Sequence, residues 1–172
     1  MKREEVFGAS LFAAGFIFQA AFSYLWRTSF PSPQWLLLAV LAVGARGKIN
    51  TAQSLGFFWG LILDAGGPSL FGAQAWILAA AGYITGRFSK EVDSDRPLAQ
   101  AILALGGTLF HLTILTQIEL FFRRSGPPLV PSIGAILGQF AMNVLAAPLV
   151  FWIVRLWSRH DPSVEEDHVF RP

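Results

Sequence analysis

The stretch LAQAILALGGTLFHLTILTQIELFF, residues 98–122, decides the fold class of this 172-residue chain. It is longer than the roughly 20 apolar residues that a helix needs to cross the hydrocarbon core of a bilayer. The same character continues along the chain, in which 53% of residues are hydrophobic and only 14% are charged. A soluble domain carries about 25% charged residues, so these charges are too few to cover a water-exposed surface. The sequence therefore predicts an all-α integral membrane protein.

Six apolar segments follow one another and predict a six-transmembrane-helix bundle that forms one domain, residues 1–157. They cover residues 6–26, 30–45, 51–64, 71–88, 98–122 and 131–157. The second segment is short and begins with Pro31-Ser32-Pro33, so the sequence leaves open whether this span crosses fully. Residues 158–172 are polar and contain two prolines, which predicts a disordered cytoplasmic tail.

The placement of lysine and arginine predicts the orientation of the bundle. With six spans and a cytoplasmic N-terminus, ten of the 13 basic residues lie inside and three lie outside. Membrane proteins show this positive-inside bias in the loops close to their spans. We therefore expect both termini in the cytoplasm.

The sequence lacks the residues that several kinds of catalytic and binding site require. The chain has no cysteine, and its three histidines are not spaced as zinc ligands, so we expect no disulfide and no metal site. The sequence contains neither a paired-carboxylate motif nor a Ser/His/Asp set, and neither a glycine-rich phosphate loop nor a basic aromatic stripe. It predicts a protein that is not an enzyme, with no catalytic residue, no cofactor and no nucleic-acid partner.

Small residues mark the helix faces that are expected to pack closely. Helices in lipid gain little from apolar contact, so small-xxx-small steps favour close approach of their backbones. Three such steps are present, Gly56/Gly60, Gly82/Gly86 and Gly134/Gly138. Internal packing of the bundle is the favoured interpretation for most of them. The alternative is that one face docks a partner helix or a second copy of the chain.

Polar residues form a stripe on each of four segments, at helical spacing. Such stripes predict either a polar interior or pairwise hydrogen bonds that leave no cavity, and the sequence does not separate the two. A lone histidine within a span, here His111, is more often a neutral hydrogen-bonding residue than a proton relay. The candidates for a polar interior are Gln53, Gln74, His111, Glu119, Gln139 and Asn143.

Two carboxylates lie close to the ends of spans. Asp64 closes the third span, where a negative charge opposes the helix dipole. Asp64 either accepts N–H groups of the Gly-Gly-Pro turn that follows it or binds a partner loop or ligand. Glu119 precedes Arg123 by four residues, which favours an intrahelical ion pair.

The stretch Gly56-Phe-Phe-Trp-Gly60-Leu-Ile-Leu-Asp64, with the turn and helix after it, resembles the MreD family of rod shape-determining proteins. That family shows G-x3-G-x3-D, a small-residue turn, a glycine eight residues after the aspartate, and a G-Y-x-x-G step. Here Gly72 and Gly82-Tyr83-Ile84-Thr85-Gly86 match the last two features. One departure is that Pro68 comes early in the turn, whereas the family usually carries proline just before a Leu-Gly pair.

The resemblance implies a non-enzymatic scaffold of the cell-elongation complex, multi-pass in the bacterial inner membrane. Its fold would be similar to the substrate-binding subunits of energy-coupling-factor transporters. The implied partners are the bitopic protein MreC, MreB, RodA, a class B penicillin-binding transpeptidase and a second copy of the chain, besides the lipid bilayer. The loop at residues 87–96 would face MreB. The residues expected to bind partners are Asp64, Gly66, Gly67, Gly72, Gly82 and Gly86.

The same implied fold leaves one alternative, a vitamin-binding subunit of such a transporter. Its ligand contacts would come from Gln74, His111, Glu119, Gln139 and Asn143. Its first span should show a row of alanines for the coupling subunit of the transporter. Only Ala9 and Ala13 fall at that spacing before Ile17 interrupts the row, which counts against this alternative.

Overall fold

The computed structural model describes residues 31–66, 70–122 and 132–158, together with residues 13, 15 and 17, which are helical. This part of the chain is all-helical, as predicted. Its helices are α1 (Trp35–Ala45), α2 (Ile49–Gly66), α3 (Ala73–Arg87), α4 (Pro97–Phe122) and α5 (Ile133–Ser158). Most of the predicted first span, 6–26, and nearly all of the tail, 158–172, lie outside the described residues. The six-span count therefore stays a prediction.

Two of these helices, α4 and α5, are long and apolar enough to cross a membrane. Within their most apolar stretches only 22% and 28% of the residues are buried. Large apolar side chains such as Leu109, Leu145 and Trp152 are exposed on their surfaces. A soluble protein avoids large exposed apolar surfaces of this kind, so the structure agrees with a helical membrane protein.

Helix α1 lies at the centre of the bundle. Ten of its 11 residues are buried, and it contacts each of the four other described helices. A helix enclosed on all sides has no polar face, which accounts for its uninterrupted apolar sequence. Pro31 and Pro33 belong to the non-helical segment before it, so the helix begins five residues later than the predicted span. At about 16 Å, α1 alone is shorter than the roughly 30 Å hydrocarbon core.

Helices α2 and α3 form an antiparallel hairpin in which the two backbones touch. A Cβ atom on Gly56 would lie 2.5 Å from the carbonyl oxygen of Leu78, and one on Gly60 would overlap the backbone of Ala75. A Cβ atom on Gly82 would lie 2.8 Å from the carbonyl oxygen of Ala52. Glycine is therefore required along this interface, as the internal-packing interpretation predicts.

The basic residues of the described chain gather at one end of the bundle. There Asp95 accepts a 2.8 Å bond from Arg46 and lies 3.8 Å from Arg155. These contacts join the α1–α2 turn, the α3–α4 loop and α5. The Lys48 ammonium lies 5.0 Å above the ring of Trp157. By the positive-inside bias we expect this end to face the cytoplasm, and we call the opposite end the outer end.

Candidate functional site

Asp64 occupies the outer end of the α2–α3 hairpin, where it is only 4% exposed. One carboxylate oxygen accepts the backbone N–H groups of Gly72 at 3.0 Å and Ala75 at 3.1 Å, and the other accepts that of Gln74 at 3.1 Å. These donors belong to the start of α3, where N–H groups have no partner within the helix. Asp64 at the end of α2 therefore caps the helix that follows it in the chain.

Among the described residues, the donors come from Gly72 and the first turn of α3, which follow the Gly-Gly-Pro turn considered in the sequence analysis. Most of that turn lies outside the described residues. Gly72 has a φ of +95°, a backbone conformation that glycine adopts readily and other residues rarely do. Gly72 directly precedes α3, and its N–H donates to the Asp64 carboxylate. Of the turn glycines, Gly66 is exposed and Gly67 lies outside the described residues.

His111 of α4 links two segments at the outer half of the bundle. Its Nε2 lies 2.8 Å from Oε1 of Gln74, and its Nδ1 lies 3.2 Å from Nε2 of Gln34. An amide nitrogen can only donate, so Nδ1 is the acceptor and the imidazole is neutral with its proton on Nε2. This arrangement agrees with a hydrogen-bonding histidine.

Asn143 of α5 is fully buried and makes four hydrogen bonds. Its oxygen accepts the backbone N–H of Gln34 at 2.8 Å and the amide of Gln139 at 3.2 Å. Its nitrogen donates to Thr108 Oγ1 at 2.8 Å and to Gln34 Oε1 at 3.3 Å. Gln139 also donates to the carbonyl of Ser32 at 3.0 Å. Asn143 therefore joins α5 to α4 and to the segment before α1.

These side chains form one connected cluster, which we call the outer polar network. Its members are Gln34, Gln74, Thr108, His111, Gln139 and Asn143. It reaches Asp64 through the backbone N–H of Gln74. Because these side chains hydrogen-bond to one another, the network fits the prediction of pairwise hydrogen bonds between helices better than the prediction of an open polar cavity. Its chemistry is that of a structural clamp, since amides, a hydroxyl and a neutral imidazole hold the outer ends of α1 and α3 to the middle parts of α4 and α5.

The structure brings together four of the six residues predicted for the interior, Gln74, His111, Gln139 and Asn143. Gln53 is exposed on α2 towards the basic end, and Glu119 is partly buried on α4. The predicted partner of Glu119, Arg123, lies outside the described residues, so that ion pair stays a prediction. Within the described residues no group of three or more His, Cys, Asp or Glu side chains could hold a metal ion.

The predicted partner-binding glycines of α3 lie inside the bundle. Gly82 and Gly86 are both buried, with Ala52 and Ile49 of α2 against them. Gly44 of α1 approaches them from another side, since a Cβ atom there would lie 2.9 Å from the carbonyl oxygen of Gly82. These two glycines therefore pack the helices of one chain against one another, and their contact with a partner stays a prediction.

Gln34 was missed by the sequence analysis, although it joins His111 to Asn143. It lies in the non-helical segment before α1, where helical periodicity gives no information. The available signal was a single amide residue directly before an uninterrupted apolar run.

Comparison with known proteins adds an independent finding. A family model described as rod shape-determining protein MreD matches residues 3–159. No curated protein and no solved structure matches the chain. The family match does not support the vitamin-binding alternative, and the similarity to transporter subunits stays a prediction. Since the match covers nearly the whole chain, the chain belongs to the MreD family of rod shape-determining membrane proteins.

Proposed function

We propose that the chain is a non-enzymatic scaffold of the cell-elongation complex in the bacterial inner membrane. In this role it binds MreC and helps to organise peptidoglycan synthesis, and thereby rod shape. The family of the chain supports this proposal. The structural observation that carries it is the α2–α3 turn at the outer end, where a rigid support presents exposed apolar side chains.

Among the described residues of this turn, the large exposed apolar side chains are Leu70, Phe71 and, one turn into α3, Trp76. Phe71 is 67% exposed and Trp76 is 58% exposed. Asp64 fixes the backbone between them by accepting the N–H groups of Gly72, Gln74 and Ala75. Aromatic side chains are enriched at the cores of protein interfaces, and a rigid support lowers the entropy lost on binding. We infer that this turn is the contact for MreC.

Substitution of Phe71 tests the proposed contact. Phe71→Ser removes an exposed ring, so it leaves folding intact and weakens MreC recovery when the tagged protein is purified from native membranes. Hot-spot aromatics contribute about 2 kcal/mol or more to binding, which corresponds to about a thirtyfold loss of affinity. Phe88→Ser is the matched control, because Phe88 is a similarly exposed phenylalanine (51%) close to the basic end. Equal MreC recovery by both variants would reject the turn as the contact.

MreB, RodA, a class B penicillin-binding transpeptidase and a second copy of the chain are further proposed partners. Mass spectrometry of the proteins that co-purify from native membranes tests the scaffold as a whole. Recovery of MreC together with elongation enzymes supports it. An intact, well-folded protein that recovers none of them would overturn it.

A further inference from the structure

A second site lies at the opposite, basic end of the bundle. A cleft of about 550 Å³ opens between the α1–α2 turn and the segment that follows α3. Its charged lining consists of Arg46, Arg87, Lys90 and Asp93, and Ser89 and Ser94 add hydroxyl groups. The proposed contact with MreC, at the outer end, makes no use of this cleft.

The charge of the cleft is positive, with three cationic side chains against one carboxylate. The carboxylate of Asp93 lies 2.9 Å from Arg96, and Arg46 is bonded to Asp95. Among the residues that the structure describes, neither Arg87 nor Lys90 takes part in an ion pair. The cleft therefore offers two cations that are not neutralised by any carboxylate of the described residues.

The surroundings of the cleft place it at the level of the membrane surface. Lys48, two residues after Arg46, stacks on Trp157, and tryptophan favours the membrane–water boundary. Phe88, between the cleft residues Arg87 and Ser89, exposes half of its surface. Cations beside an exposed apolar ring are the chemistry that suits lipid phosphate groups on one side and acyl chains on the other.

We propose that this cleft binds the phosphate headgroup of an anionic phospholipid of the cytoplasmic leaflet. Arg87 and Lys90 contact the phosphate, since guanidinium and ammonium groups both form strong charge-assisted bonds to phosphate oxygens. Ile49 and Val92 line the same cleft and suit the apolar part of the lipid next to its headgroup. Basic pockets between membrane helices on the cytoplasmic side bind lipid headgroups in this way.

Lipid binding by the purified full-length protein in detergent tests the proposal. Native mass spectrometry would count the bound lipids during titration with phosphatidylglycerol or, as the zwitterionic comparison, phosphatidylcholine. We expect selective retention of phosphatidylglycerol, and about thirtyfold weaker binding after the double change Arg87→Gln and Lys90→Gln, because each surface cation adds about 1 kcal/mol. Both side chains are exposed, so the variant keeps its fold.

Two further variants make the result specific. Arg155→Gln removes a cation from the same end of the bundle but not from the cleft, so it should bind like the parent protein. The carboxylate that Arg155 approaches, Asp95, does not line the cleft and keeps its bond from Arg46. The double change Arg87→Lys and Lys90→Arg keeps both charges and should also bind phosphatidylglycerol. An equal loss in the Arg155→Gln variant, or no loss in the glutamine double variant, would overturn the proposal. Saturation of the cleft by inorganic phosphate at the same concentration would assign it to a soluble anion.

Discussion

Asp64 lies where two helix dipoles meet, because it ends α2 and caps α3. Its charge opposes the dipole of α2, an unfavourable effect of about 0.3–1 kcal/mol. Its three bonds to backbone N–H groups of the α3 entry are charge-assisted, and such bonds contribute about 1.5–3 kcal/mol each. The bonds outweigh the dipole, so the carboxylate stabilises the outer turn as a whole.

Asp64→Asn is expected to loosen this turn without preventing membrane insertion. The amide keeps the size of the side chain but replaces one acceptor oxygen by a donor that faces N–H groups. We expect a loss of about 1–3 kcal/mol in stability, measured by thermal unfolding in detergent, together with weaker recovery of MreC. Asp93→Asn is the control, since Asp93 is an exposed carboxylate. Unchanged MreC recovery with Asp64→Asn would remove Asp64 from the support of the interface.

His111→Leu is expected to destabilise the outer polar network. Leucine fills the volume but leaves the amides of Gln34 and Gln74 without the partner that the imidazole gives them. Each buried polar group left unsatisfied costs about 1–3 kcal/mol. Thr113→Leu, at an exposed position of the same helix, is the comparison for thermal unfolding. If both variants unfold at the same temperature, the network contributes nothing to stability.

The α2–α3 hairpin depends on the absence of side chains at its crossing points. Gly60→Ala places a methyl group against the backbone of Ala75, so the two helices must separate. Overpacking of this kind costs about 1–3 kcal/mol. Gly106→Ala is the matched control, because nothing lies within 4 Å of a Cβ atom there and alanine favours the helix. A smaller effect of Gly60→Ala than of Gly106→Ala would contradict the described packing.

The sequence predicts the longest helices well and the shortest one poorly. Span 98–122 corresponds to α4 almost residue for residue, because polar loop residues bound a long apolar run. For α1 the sequence indicated neither the late start at Trp35 nor the central position. Hydropathy does not separate lipid-facing from helix-facing residues, since both surroundings are apolar.

The same physical limit applies to the site. Polar residues at helical spacing predicted a polar face on each helix. The side chains of four of them, Gln74, His111, Gln139 and Asn143, do belong to one hydrogen-bonded network. Periodicity within one helix does not show which neighbouring helix supplies a hydrogen-bond partner. For that reason the cap that Asp64 forms on α3, and the role of Gln34 outside any helix, emerge only from the three-dimensional arrangement.

For the whole molecule, the membrane orientation that the basic residues predict can be measured directly. The chain has no cysteine, so a single introduced thiol reports its own side of the membrane. In intact right-side-out vesicles of the inner membrane, whose outer surface is the periplasmic face, we expect Leu70→Cys to react with an impermeant maleimide. Lys90→Cys should react only after the membrane is opened. Both residues are exposed, and the reverse pattern of labelling would invert the topology.

The central position of α1 has a consequence for how the protein is made. This helix leaves the ribosome before α5, yet the two helices are in contact. The bond from the Gln34 N–H to Asn143 spans 109 positions of the chain. Until α5 is made, the side of α1 that α5 later covers must therefore be in contact with lipid or with another protein. A nascent chain that ends before residue 133 lacks α5, so it cannot bury the side of α1 that α5 covers.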